Sequence, residues 1–175
     1  MSFRTISSAA VLALAAGLAL AGPASAAPAP YTAPFTISNL NSGKCLEVAD
    51  WGTGNGAAVR QWSCHGGDNQ KWYWTAAHEL VNVHSGKCLD NPGYSTVPGT
   101  RPVIWDCNAG TNQKWTEVLA HSGSRYYLNE VSKLALDVAG GSKDDGAPVI
   151  QWPMGPSGAS YNQIWFPSDF TDGPR

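Results

Sequence analysis

Charge is scarce in this sequence, and clusters of basic residues are missing. Lys and Arg number 11 against 13 Asp and Glu, and these four residue types make up only 14% of 175 residues. Without a run of Lys or Arg, phosphate-driven binding to nucleic acid has no electrostatic footing. Also missing is an apolar run long enough to cross a bilayer. The longest, Ala9 to Gly22, has 14 residues, short of the roughly 20 that a spanning helix needs, so a membrane anchor is excluded. Beyond that run no segment keeps a helical period. The chain has no Cys-x-x-Cys, no Gly-x-Ser-x-Gly and no His-Glu-x-x-His, which removes the usual signatures of a zinc site, a serine hydrolase and a zinc protease.

What is present begins with a basic residue (Arg4), the short apolar run, and Pro23-Ala24-Ser25-Ala26. Residues 1–26 read as a secretory signal peptide cut after Ala26, which predicts a secreted, extracellular protein. Residues 27–34 are a Pro/Ala-rich stretch expected to be a flexible leader, and 167–175 a polar tail.

The rest of the chain is organised around a repeat. Gly43-Lys44-Cys45-Leu46-Glu47 is followed by Gln61-Trp62-Ser63-Cys64 and Asn69-Gln70-Lys71-Trp72. The pattern returns as Gly86-Lys87-Cys88-Leu89-Asp90, Ile104-Trp105-Asp106-Cys107 and Asn112-Gln113-Lys114-Trp115, and again as Ala135-Leu136-Asp137, Gln151-Trp152-Pro153-Met154 and Asn162-Gln163-Ile164-Trp165. Cys45 to Cys64, Cys88 to Cys107 and Ala135 to Met154 are each 19 positions apart, and each acidic residue precedes its Trp by 15. Asn39, Asn82 and Asn129 stand six before the Cys, Cys or Ala. Intervals held over three copies define a threefold internal repeat, with units at 35–74, 78–118 and 126–166 and linkers at 75–77 and 117–124.

Four cysteines in an exported chain imply two disulfides, with three connectivities open to them. The repeat selects Cys45–Cys64 and Cys88–Cys107, because the third unit has lost both partners together, to Ala135 and Met154. Each bridge closes a loop worth about 3 kcal/mol in the chain-entropy model. A metal role for these cysteines is disfavoured by their spacing and by the oxidising compartment.

Within a unit, Phe35–Ser38, Leu46–Val48, Ala58–Trp62 and Lys71–Trp74 read as short strands between Gly-rich turns. Three units of about four strands are too few for a typical propeller. They suit an all-β β-trefoil, a barrel capped by hairpins that leaves few edges exposed.

Cys-Leu-Asp, x-Trp-x-Cys and Asn-Gln-x-Trp in threefold register resemble the ricin-type β-trefoil lectin domain, also called carbohydrate-binding module family 13, over residues 35–166. The three Gln-x-Trp elements, Gln70/Trp72, Gln113/Trp115 and Gln163/Trp165, carry that resemblance. It implies binding of galactose-like or xylose-like sugars, as galactosides or xylan-type polysaccharide, by a monomer without catalysis, cofactor or metal. The residue types fit. A carboxylate accepts sugar hydroxyls in charge-assisted bonds, an aromatic ring covers a C–H face, and amides supply donors and acceptors.

On this reading the second unit, with Asp90, Trp105, Asn112 and Gln113, is the best-equipped site. The third has Asp137, Trp152, Asn162 and Gln163, with three extra residues after Met154 that displace Asn162 or build a new wall. The first has Trp62, Asn69, Gln70 and His65, but Glu47 in place of Asp, and ranks last. Trp72, Trp115 and Trp165 are expected in the core. Asp90 and Asp137 could instead cap turns, the Gln side chains could brace backbone, and Asp144-Asp145 reads as a solvated loop. Two alternatives remain beside the lectin-like one: a protein-binding trefoil such as a secreted protease inhibitor, and a glycoside hydrolase. The hydrolase needs two carboxylates roughly 5–9.5 Å apart, which one carboxylate per unit does not offer.

Overall fold

The computed structural model describes residues 27–168. The expected signal peptide, 1–26, and all but the first two residues of the expected tail lie outside the described residues.

Each unit contributes four strands. The first has β1 (Phe35–Asn39), β2 (Cys45–Val48), β3 (Ala57–Trp62) and β4 (Lys71–Trp74). The second has β5 (Leu80–Asn82), β6 (Cys88–Asp90), β7 (Val103–Trp105) and β8 (Trp115–Leu119). The third has β9 (Arg125–Asn129), β10 (Ala135–Val138), β11 (Val149–Trp152) and β12 (Trp165–Pro167). The first and last strands of the units pair around a ring. β1 pairs with β4 and β12, β4 with β5, β8 with β9, and β9 with β12. A bridge between Glu79 and Lys114 joins β5 to the strand entering β8. The middle strands form the hairpins β2–β3, β6–β7 and β10–β11. These meet one another through β3–β7, the Arg60–Pro148 bridge and the Gln151–Thr100 backbone bond. Barrel and three-hairpin cap together are the β-trefoil.

The core is layered with the same symmetry. Ile37, Leu80 and Tyr127 form one set, Leu46, Leu89 and Leu136 another, and Trp72, Trp115 and Trp165 a third, all without solvent exposure. Each indole N–H must find an acceptor once buried. Trp72, Trp115 and Trp165 donate to the carbonyls of Leu46, Leu89 and Leu136 at 3.1, 3.0 and 3.0 Å. The Asn that opens each repeat stitches one unit to the preceding one. Asn82 donates to the carbonyls of Asn69 and Lys71, Asn129 to those of Asn112 and Lys114, and Asn39 to those of Asn162 and Ile164. The disulfides are Cys45–Cys64 and Cys88–Cys107.

Three expectations need correction. The leader is not a free tail over its described length. The Tyr31 N–H donates to the Trp74 carbonyl, the Trp74 N–H donates to Thr32 Oγ1, and the Tyr73 hydroxyl donates to the Pro28 carbonyl. It covers groups at the end of β4 that would otherwise lack partners. The linker at 117–124 begins as strand, since β8 runs on to Leu119 in a five-pair ladder with β9. Asp145 is not simply solvated. It takes an ion pair from Lys44 and bonds from the Ser63 N–H and hydroxyl, joining the third unit's loop to the first.

Candidate functional site

The three acidic residues sit at matching places on the cap hairpins, and all three are buried. They differ in how many of their oxygens are occupied.

Asp90, at the end of β6, receives two amides on one oxygen. Asn112 Nδ2 and Gln113 Nε2 donate to Oδ2 at 3.0 and 2.8 Å, both from the 3₁₀ turn Thr111–Gln113. Gln113 is fixed in turn by the Asp106 carbonyl and the Asn108 N–H. Oδ1 of Asp90 makes no hydrogen bond among the described residues. The site has a carboxylate aimed and half used.

Asp137, on β10, receives Asn162 Nδ2 on Oδ1 at 3.0 Å. The three extra residues have not displaced Asn162. They close in their own turn through a Gly155–Gly158 bridge, and Ser160 caps the 3₁₀ turn Tyr161–Gln163. Gln163 is shared: its amide donates to the Pro153 carbonyl at 3.2 Å while still acting on the Asp137 carboxyl. Burial pushes the Asp137 carboxyl up from its ordinary value of 3.8 to about 6, with the Gln163 and Asn162 amides offsetting only part of this. Burial also raises Asp90, against the Gln113 and Asn112 amides. Neither Asp caps a turn among the described residues. Both are held by Asn side chains instead.

Glu47 is saturated. Arg60 Nε and Nη2 lie 3.1 and 3.0 Å from Oε1, while His65 Nε2 and Gln70 Nε2 lie 3.0 and 2.8 Å from Oε2. His65 thus helps to close the first unit. Arg60 also bonds Asp50, and its guanidinium carbon lies 4.2 Å from the centre of the Trp62 ring. Asn69 turns to the Val48 carbonyl. Carboxylate and platform are both occupied by the protein itself.

The aromatic platforms follow the same division. Trp105 and Trp152 are 43% and 46% exposed, although they lie beside a buried carboxylate, whereas Trp62 is half-buried. The edge of each ring lies near a glycine of another unit: Trp105 near Gly56, Trp152 near Gly99 and Trp62 near Gly146. An exposed indole anchored along one edge is a ready surface for the C–H face of a ring-shaped ligand.

In the third unit these residues enclose a depression of about 490 Å³ lined by Asp137, Gly140, Gly141, Ile150, Trp152 and Asn162. The same six positions are Asp90, Gly93, Tyr94, Val103, Trp105 and Asn112 in the second unit, and Glu47, Asp50, Trp51, Arg60, Trp62 and Asn69 in the first. The positions four and thirteen after the acid were missed in the sequence, where the segments carrying them look like variable loop and ordinary strand. Aligning the repeats on Glu47, Asp90 and Asp137 exposes both, as Trp/Tyr/Gly and Arg/Val/Ile.

Residues 33–165 match the family model of the ricin-type beta-trefoil lectin domain. Among solved structures, the designed threefold-symmetric protein ThreeFoil is 35% identical with a TM-score of 0.74, over 78% of this chain and 99% of its own. An exo-beta-1,3-galactanase from Clostridium thermocellum, 1,3Gal43A, is 30% identical with a TM-score of 0.74, over 79% of this chain but 30% of that enzyme. The Rhizoctonia solani agglutinin, 24% identical with a TM-score of 0.66, shares the fold. Among curated proteins, Serine protease 1 of Rarobacter faecitabidus is 46% identical over 37 residues, 21% of this chain and 7% of the protease. The chain therefore spans a small part of that relative.

Proposed function

The chain belongs to the ricin-type beta-trefoil lectin domain family, and from that premise we propose that it is a secreted, non-catalytic module binding galactose-like or xylose-like sugars through its second and third units. The observation that carries this reading is the half-used buried carboxylate beside an exposed Trp, at Asp90/Trp105 and again at Asp137/Trp152. The unused oxygen accepts sugar hydroxyls, at about 1.5–3 kcal/mol for each charge-assisted bond before desolvation. The indole takes the apolar face. Asn112 and Asn162 hold the carboxylates in place. Two disulfides support an oxidising, extracellular location.

Two shallow sites imply weak binding of a single sugar, near millimolar and so about −4 kcal/mol, and binding to a polymer stronger by about 10²–10⁴ where its repeats match the site geometry. The test is a glycan and polysaccharide screen of the purified protein beside an Asp90→Ala/Asp137→Ala variant checked to be folded by near-ultraviolet circular dichroism. Binding to galactosides or xylan that the variant loses is the expected result. Binding that survives in the variant, or inhibition of a protease by both proteins without any sugar binding, would replace this reading with a protein-binding one.

A further inference from the structure

The second and third units share their carboxylate, platform and amide; their lining differs conservatively at Val103 and Ile150, and sharply at one further position. Tyr94 stands where the third unit has Gly141 and the first has Trp51. The backbone is left-handed at all three, with φ of 54°, 62° and 57°. That conformation suits Gly141 and strains an aromatic residue, whose Cβ crowds the following carbonyl oxygen. For Trp51 the fold supplies contacts that offset the cost, because its ring lies against His65 and His84 with centroids 6.1 and 5.0 Å away. Tyr94 lacks that stacking. Its ring has no aromatic neighbour among the described residues, and the residue is about as exposed as Trp51, 53% against 49%.

Tyr94 is nonetheless held firmly. Pro92 opens its 3₁₀ turn, and the fully buried Asn91 clamps the loop through the Ser95 carbonyl and Asn129 Oδ1 at 2.6 and 3.2 Å. From there the side chain reaches across to the turn that carries Asn112. A Cβ on Gly110 would stand 2.5 Å from Asn112 Oδ1, 2.7 Å from the Tyr94 hydroxyl oxygen and 2.8 Å from Asn108 Oδ1, so three oxygens surround one point that only glycine leaves open. Asn108 Oδ1 accepts the Gly110 N–H. Asn112 is 4% exposed, and its Oδ1 has no partner among the described residues. A hydroxyl and a buried, unpartnered acceptor thus flank Gly110 on the side of the second site where Tyr94 stands. In the third unit that side is backbone alone, at Gly140 and Gly141.

We propose that Tyr94 makes the second unit a receptor for the ends of sugar chains, whereas Gly141 leaves the third unit open to residues within a chain. The proposal rests on the carbohydrate-binding reading above. A terminal sugar presents a free hydroxyl to Asn112 Oδ1 and the Tyr94 hydroxyl. An interior sugar has its neighbour at that place, and the phenol ring stands in the way. Over Gly140–Gly141 the neighbour passes without obstruction.

The test uses β-1,4-linked xylo-oligosaccharides and galacto-oligosaccharides of three and six residues, by calorimetry, on Asp137→Ala (second unit alone) and Asp90→Ala (third unit alone). An end receptor sees one matching end per chain, so its molar affinity stays flat with length. An interior receptor gains about fourfold, following the number of interior residues. Asp137→Ala is expected to be flat and Asp90→Ala to rise. Adding Tyr94→Gly to the former should make it rise, and adding Gly141→Tyr to the latter should make it flat. A Cβ on Gly141 would meet only Asn41 Nδ2, at 3.8 Å, and Gly141→Tyr takes on the left-handed strain that Tyr94 already bears, φ being 62° and 54° at the two positions. Tyr94→Gly places at this left-handed position the residue type that the third unit carries there, and near-ultraviolet circular dichroism checks that each variant is folded before its binding is read. Identical length profiles for the two single-site variants, or a flat profile that survives Tyr94→Gly, would overturn the proposal and leave sugar binding standing. No binding by either variant would overturn the carbohydrate reading and the proposal with it.

Discussion

The guanidinium of Arg60 lies over the ring of Trp62, its central carbon 4.2 Å from the ring centre, while two of its nitrogens hold Glu47. One side chain therefore occupies both the platform and the carboxylate of the first unit. Val103 and Ile150 stand at the same position in the other units and do neither. What fills the first unit's carboxylate and ring face is therefore less the extra methylene of Glu47 than a residue thirteen positions further on.

Arg60→Ala is expected to destabilise the protein by about 1–3 kcal/mol, because a buried carboxylate is left with only His65 and Gln70. Urea unfolding measures this. Affinity of the second and third units for sugar should not change, since the Arg60 side chain bonds only Glu47 and Asp50 and covers Trp62, all in the first unit. A neutral effect on stability would mean that the cluster contributes nothing to the fold.

The six Trp residues of the repeat divide into two groups with opposite responses. Trp105→Ala and Trp152→Ala should each weaken sugar binding at their own unit by about tenfold or more, ~1.4 kcal/mol, while moving stability little, because these rings are nearly half exposed. Trp115→Ala should cost about 3–5 kcal/mol of stability, as the loss of a fully buried aromatic does. Calorimetry and thermal unfolding on the same variants separate the two effects.

Acid should weaken the third unit and strengthen the fold. The Asp137 carboxyl is raised to about 6 from 3.8. Between those two values the native state keeps a proton that the unfolded chain has released, so this residue's contribution to stability is full below about 4 and is lost as pH rises through 6. Binding has the opposite sign, because the ionised carboxylate accepts sugar hydroxyls. In the Asp90→Ala variant, affinity should fall as pH drops below about 6. Asp137→Asn should reduce the pH dependence of stability across that window, leaving the part of the same sign that the raised Asp90 carboxyl contributes. Titrations of binding and unfolding between pH 4 and 8 test both.

The third unit shows which side chains replace a disulfide in this framework. Cys88→Ala with Cys107→Met copies Ala135 and Met154 into the second unit, and should give a folded protein that is less stable by about 3 kcal/mol, the loop-entropy value for one bridge. Peptide mass mapping of the natural protein should recover Cys45–Cys64 and Cys88–Cys107, the pairs found here.

Much of this architecture follows from the order of residues alone. Spacing within the repeat identified the units, the disulfide pairs and the core Trp72, Trp115 and Trp165, because covalent separation and apolar pattern act along the chain and are copied with it. It also brought Asp90 to Asn112 and Gln113, and Asp137 to Asn162. What the sequence did not determine is which oxygens those partners use and what fills the remaining space. That depends on segments far apart in the chain meeting at one point: Arg60 across Glu47 and Trp62, Tyr94 across Gly110 and Asn112, Lys44 and Ser63 on Asp145. Such contacts are fixed by the closure of three hairpins around a common axis, so a single side chain at the meeting point, Arg60 in the first unit or Tyr94 in the second, changes what surrounds the carboxylate from one copy to the next.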